Sequence, residues 1–287
     1  MFQTCRTIFS GTIQKINRNA RFLSIKPTTI VFDKDGTLLD AHETFAPLIQ
    51  YACEQSIDDT DQLYNIPGFI PDTKKFSSTS IYMKDTNQYV HEQLKFHNFN
   101  VEQFKSHIKQ GSQDRSIFQT VPLTNIQKLF KQLRRKGFKI AILSADDHTN
   151  IEAFIQENNS LDLVDVIVGG DDGYNSKPDP EPLFHIAKAL NVPIESVMMV
   201  GDSSHDICCA ANAKTWSIGV GTGITSIEEL RPDSDFVLTS VKELPLLIDV
   251  GEKHQWKDVA LIEDVLIRKR ISFAKIFKGN HIGIQNN

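Results

Sequence analysis

After Pro27 the chain runs Thr28-Thr29-Ile30-Val31-Phe32, and this short, β-branched, apolar run is the first of a series that alternates with helical patterns as far as residue 250. A run of that length with no polar face predicts a strand buried on both sides, and Asp35-Gly36 just beyond it is a turn signal. Residues 125–136 place Ile126, Leu129, Phe130 and Leu133 at helical spacing, Gly137 stops that helix, and Lys139-Ile140-Ala141-Ile142-Leu143 is a second strand. The pattern continues as helix 150–158, strand 164–168, helix 182–190, strand 196–200, helix 203–213, strand 215–220, strand 235–238 and helix 241–248. Parallel strands need helical crossovers, so this alternation predicts an α/β fold, a doubly wound parallel sheet of Rossmann-like type.

Residues 41–120 break the alternation. They carry helical patterns at 46–54 and 87–96 with loops between, and read as an inserted, mainly α-helical domain that returns through Phe118 to Leu123, with Pro122 in that linker. The core is then 27–40 and 121–250. The extension 251–287 predicts one more helix, with Val259, Ile262, Val265, Leu266 and Ile267 near one face.

The first 26 residues hold Arg6, Lys15, Arg18, Arg21 and Lys26 and no acid, the first being Asp33. That composition, with Phe2, Ile8, Ile13 and Ile16 as an apolar stripe, reads as a mitochondrial transit peptide; the plainer alternative is an unstructured basic tail on a cytoplasmic protein. The formal net charge is −5, and no basic field is present for nucleic acid, whose binding rests on clustered Lys and Arg. No apolar stretch approaches the ~20 residues of a membrane-spanning helix. Cys5, Cys53, Cys208 and Cys209 form neither a C-x-x-C pair nor an even framework, which argues for a reducing compartment and against zinc, with Cys208 and Cys209 read as packed helix residues.

Four polar clusters follow the predicted strands: Asp33-Lys34-Asp35-Gly36-Thr37, Ser144, Lys177-Pro178, and Gly201-Asp202-Ser203-Ser204-His205-Asp206. The C-terminal edge of an open parallel sheet is where ligands bind. Each cluster has a plain structural reading as well. D-x-D-G alone is an Asp-Gly turn, Ser144 is a helix cap like Asp146 or Thr149 beside it, Asp179 caps a helix with Pro180 at its first position, and Ser203-x-x-Asp206 is a capping pattern. Lys177 has no such duty.

In its order, and in each cluster following an apolar run, this set resembles the haloacid dehalogenase superfamily, most closely its phosphoglycolate phosphatase-like branch, in which a helical cap separates the first two motifs. The resemblance covers residues 28–250. It implies that Asp33 is the nucleophile and Asp35 the general acid and base, that the Ser144 hydroxyl donates to a phosphoryl oxygen, and that Lys177 offsets the charge of Asp33 and phosphate. It further implies Mg²⁺ held at Asp33, Asp202 and the backbone carbonyl of Asp35, with Asp206 positioning it from behind these ligands. The chemistry agrees with those residue types. A fixed carboxylate is a competent nucleophile when positioning and charge neutralisation carry phosphoryl transfer, and hard Mg²⁺ takes oxygen ligands, which leaves His205 to the surface. Asp35, two residues on in extended backbone, projects to the same side as Asp33.

Lys34 departs from the commoner apolar residue between those aspartates; its side chain is expected in solvent rather than lining the entrance. The implied activity is Mg²⁺-dependent hydrolysis of a small phosphate monoester, such as phosphoglycolate, a sugar phosphate or a nucleotide, through an aspartyl-phosphate. The alternatives are a phosphomutase of the same superfamily, against which Thr37 weighs by analogy, and an inactive phosphate-binding or scaffold protein. Lys84, His91, Lys95 and Arg115 are the insert's candidates for selecting the substrate.

Overall fold

The structure is a computed structural model that describes residues 25–55, 64, 68–77, 80, 87–96, 99–256, 258 and 260–269, with backbone alone for 87–91. The chain divides into two compact units, Pro27–Val241 and a smaller one of Lys242–Asn287 with Met1–Lys26.

The larger unit is built on a six-stranded parallel sheet. Its strands are β1 (Thr29–Phe32), β4 (Lys139–Leu143), β5 (Val166–Val168), β6 (Val197–Gly201), β7 (Trp216–Val220) and β8 (Phe236–Leu238), in the order β5-β4-β1-β6-β7-β8. The strands are mostly apolar because both faces are covered. On one face Val31, Ala141, Leu143, Val168, Val197 and Met199 pack with Leu183 and Ile186 of one helix and Cys209, Ala210 and Ala213 of another. These helices are α6 (Glu181–Ala189) and α7 (Ser204–Ala213). On the other face Phe32 meets Phe130 of α4 (Ile126–Arg135), with ring centroids 5.3 Å apart. Each such large side chain contributes about 1.5–3 kcal/mol on burial. Helices α5 (His148–Glu157) and α8 (Ile227–Leu230) complete the alternation.

Between β1 and β4 lie α1 (Ala41–Glu54), the hairpin β2 (Phe69–Ile70) and β3 (Lys75–Phe76), α2 (Asn87–Phe96) and α3 (Val101–Gln113). Helix α1 begins five residues before the predicted 46, because the Asp40 side chain accepts from Glu43 N and caps it there. The hairpin and α3 escape the sequence pattern. This segment has its own apolar cluster, in which Ala46, Ile49, Ala52 and Cys53 meet Phe69, Phe76, Leu94 and Phe104. Two chain crossings join it to the sheet: Asp40 N donates to Val121 O at 2.7 Å, and Leu123 N to Leu38 O at 2.8 Å.

A short 3-10 turn at Val241–Glu243 leads into α9 (Leu244–Lys253), which runs past the predicted end at 248. Residues 260–269 are helical. The expected transit segment lies outside the described residues except for its last two, Ile25 and Lys26. Among the described residues no helix is long and apolar enough to cross a membrane.

Candidate active site

Phe32 pairs with Ile142 of β4 on one side and Val200 of β6 on the other, so the residues that follow these strands emerge at one edge. The chain fills one side of β1 with β4 and β5 and the other with β6, β7 and β8. Strand order therefore reverses between β1 and β6, which opens a crevice above that pair. Asp33 leaves β1 there, its N–H donating to Val200 O at 2.9 Å, and Asp202 leaves β6 beside it.

Lys177, on the β5–α6 loop, closes the group. Its ammonium donates to Asp33 Oδ1 at 2.7 Å, to Asp206 Oδ1 at 2.6 Å and to the Leu143 carbonyl at 3.2 Å. The other oxygen of Asp206 accepts from Ser203 N and Ser203 Oγ, while Ser203 Oγ accepts from Asp206 N. Asp206 thus completes a capping box at the start of α7 with one oxygen and gives the other to Lys177. Ligand oxygens of Asp33, Asp202 and Asp206 lie within 4.8 Å of one another, and all three residues are buried.

These carboxylates strain the electrostatics. Burial, opposed by Lys177 and reinforced by Asp206 and Asp35, pushes Asp33 up to about 7. Burial, then Asp33 and Asp206, raises Asp202 well above the carboxylate range. Lys177 is raised despite burial, which by itself lowers it, because Asp206 and Asp33 face it. Three buried carboxylates around one ammonium are short of positive charge, and an oxygen-only donor set of this kind fits a hard divalent cation such as Mg²⁺.

Asp202 is positioned by two loops that approach it through glycine. A Cβ on Gly223 would lie 1.7 Å from Asp202 Oδ2, and one on Gly36, at φ +80°, would lie 2.6 Å from it. Thr222 Oγ1 donates to Gly36 O at 2.7 Å and ties the β7–α8 loop to the loop after β1. The sequence reading missed Thr222 and Gly223, although Gly221-Thr222-Gly223 follows a strand at the same edge as the other clusters.

Ser144 is buried at the end of β4, and its hydroxyl accepts from Asp146 N at 3.2 Å, a local turn and not the helix cap that the sequence also offered. The cap position of α5 falls to Asp147, without a side-chain bond. Asp179 accepts from Glu181 N, and Pro180 sits at the cap of α6, one position earlier than expected. His205 is exposed, as expected. Asp35 is not one of the three clustered acids, and its carboxylate is 2.6 Å from the Lys34 ammonium. Lys34 itself corrects the sequence reading. It is 3% exposed rather than solvated, because its ammonium bridges Asp35 and Asp146.

Among the insert's candidates, Arg115 is turned to Glu157 of α5 at 3.1 Å and Lys95 is exposed on α2; Lys84 and the His91 side chain lie outside the described residues. Cys53 and Cys209 are buried, and burial pushes both thiols up to about 12, which makes them packing residues.

The family model for the haloacid dehalogenase-like hydrolases matches residues 30–220. The chain belongs to this family. The hydrolase is 26% identical over 227 residues to "Pyrophosphatase PpaX" of Bacillus cereus (strain B4264), which covers 78% of this chain and 97% of that protein. It shares its fold with a putative phosphoglycolate phosphatase from Lactobacillus delbrueckii subsp. bulgaricus, at 23% identity and a TM-score of 0.58 over 78% of this chain and 99% of that one. A putative beta-phosphoglucomutase from Thermotoga maritima is similar at 18% identity and a TM-score of 0.61, over 77% of this hydrolase and 98% of that chain.

Proposed function

We propose that this hydrolase is a Mg²⁺-dependent phosphatase that transfers the phosphoryl group of a small phosphate monoester to Asp33 and then to water. The observation that carries this reading is Lys177 between Asp33 and Asp206, with Asp202 cradled beside them at the switch point of the sheet. Lys177 holds Asp33 Oδ1, which leaves Oδ2 to attack phosphorus in line while the ester P–O bond breaks. Asp35 gives a proton to the departing oxygen and afterwards takes one from the water that attacks the aspartyl-phosphate. Ser144 and Lys177 hold phosphoryl oxygens during both displacements. Asp33, Asp202 and the carbonyl of Asp35 would hold Mg²⁺, with Asp206 behind them, and its charge would neutralise the transferring phosphoryl group.

Residues 41–120 act in this reading as a cap over the edge that bears Asp33, favouring a small phosphorylated metabolite over a folded protein or duplex. Phosphoglycolate, sugar phosphates and nucleotides are the candidates, and the name of the Bacillus relative adds pyrophosphate. The purified protein is tested against such a panel for inorganic phosphate release with one substrate present. Release with Mg²⁺, lost in excess EDTA and recovered on adding Mg²⁺, supports the reading; full turnover in EDTA refutes the metal, and isomerised phosphate ester without net release indicates a mutase.

Gly223→Ala is expected to push Asp202 aside and lower turnover about 10²-fold, since a displacement near 1 Å in a positioned group costs that much. The Mg²⁺ concentration for half-maximal activity should rise with it. A Mg²⁺ titration of the variant, once it is shown to keep the wild-type melting temperature, checks this, and an unchanged curve shows that Asp202 does not position the cation. Residues 1–26 are further proposed to direct import into mitochondria; a fusion of this segment to a fluorescent reporter that stays diffuse in the cytosol would count against it.

A further inference from the structure

Lys34 stands between the two aspartates of the first loop, yet only 4% of its side chain is exposed. Its ammonium lies 2.6 Å from Asp35 Oδ1 and 3.0 Å from Asp146 Oδ2, and the rings of Phe45 and Phe154 flank it at 6.0 and 5.9 Å. A buried ammonium is tolerated only when paired, and aromatic faces add to its stabilisation. Asp146 is held on its far side as well. Its Oδ1 accepts from Asp147 N and from Asn150 Nδ2, both at 2.8 Å, and its own N–H donates to Ser144 Oγ. A continuous polar path therefore runs from the Asp35 carboxylate through Lys34 and Asp146 to the Ser144 hydroxyl. It joins the loop after β1 to the loop after β4. Phe45 belongs to α1 of the insert and Phe154 to α5 of the core, so the bridge sits where those two helices and both loops meet.

An exposed lysine at this position would spend side-chain entropy for an ion pair of little strength. A buried one bonded to two carboxylates has a single orientation and imposes it on both partners. We propose that Lys34 is a positioning residue that fixes the Asp35 carboxylate for its proton transfers and keeps it in register with the Ser144 hydroxyl. This inference rests on the reading of Asp35 as acid and base. Lys34 binds Oδ1 of Asp35 and leaves Oδ2 for the leaving oxygen and then for water. In the first displacement the P–O bond to the leaving group breaks as Asp33 bonds to phosphorus, and the proton on Asp35 passes to the departing oxygen. Lys34 keeps its own protons throughout.

The test compares two esters, 4-nitrophenyl phosphate, whose leaving group needs little protonation, and the best alkyl phosphate of the substrate panel, through kcat/KM for Lys34→Met, Lys34→Arg and Asp35→Asn. A residue that only supports the fold lowers both values by one factor. Lys34→Met is expected to lower kcat/KM about 10²-fold on the alkyl ester and under about 10-fold on the nitrophenyl ester, as for a displaced acid. Lys34→Arg should recover part of the loss. If Lys34→Met does not fold, Asp146→Asn cuts the bridge at its other end and should show the same selectivity. Equal losses on both esters, or none, overturn the inference. Asp35→Asn separates the two claims: if it lacks leaving-group selectivity, the acid and base reading itself fails, whereas selectivity in Asp35→Asn but not in Lys34→Met sinks the role of Lys34 alone.

Discussion

Asp33→Asn is expected to lower phosphate release by at least about 10⁴-fold, the scale on which loss of a covalent nucleophile is felt, and to leave no phosphoenzyme. The amide keeps the shape of the side chain and its place beside Lys177, so the fold should be retained, but a neutral amide is too poor a nucleophile to attack phosphorus. Asp35→Asn should behave differently. It spares the nucleophile and removes the group that activates water, typically a contribution of about 10²–10⁴-fold. With a leaving group that needs little protonation, the first displacement then outlasts the second and aspartyl-phosphate builds up on Asp33. Acid quench followed by mass spectrometry of the peptide carrying Asp33 reads both outcomes. A phosphopeptide from Asp33→Asn, or label on Ser144 in the wild type, would assign the nucleophile elsewhere.

Lys177→Met is expected to damage stability and activity together. The ammonium is bonded to Asp33 and Asp206 in a buried site, and removing one partner of such a network leaves uncompensated charge, at a cost of about 3–5 kcal/mol. Its place at the attacked phosphoryl group should add a loss of about 10²–10³-fold in turnover. Both effects come from one electrostatic fact. Three carboxylates meet there, and the displaced charge has to be made up by protons or by another cation. Mg²⁺ should therefore stabilise the variant by a larger margin than the wild type. Denaturant unfolding with and without Mg²⁺ measures that margin; equal stabilisation of the two proteins would mean that Lys177 and the cation do not share the same carboxylates.

Much of the fold was legible because a doubly wound sheet writes itself locally. Strands buried on both faces must be apolar along their whole length, as Ile30 to Phe32 and Val197 to Val200 are, and the crossover helices between them show their apolar stripe at helical spacing. The insert was less legible. Its hairpin is two residues a side, and α3 carries few apolar residues, Phe104 among them, that are buried against partners distant in sequence.

The sequence by itself determined which acids and which lysine stand at the strand ends, because strand polarity and the order of apolar runs place Asp33, Ser144, Lys177 and Asp202 on one edge. Tertiary structure alone decided what each of them meets. Lys34 looked like a solvent-facing lysine, since nothing near it in the chain foretells Asp146 as its partner, and Gly223 drew no reading from the sequence, because only the folded β7–α8 loop brings it against Asp202. The physical reason is the same in both cases: burial and charge balance depend on neighbours that arrive from other loops, and local sequence records the residue but not its company.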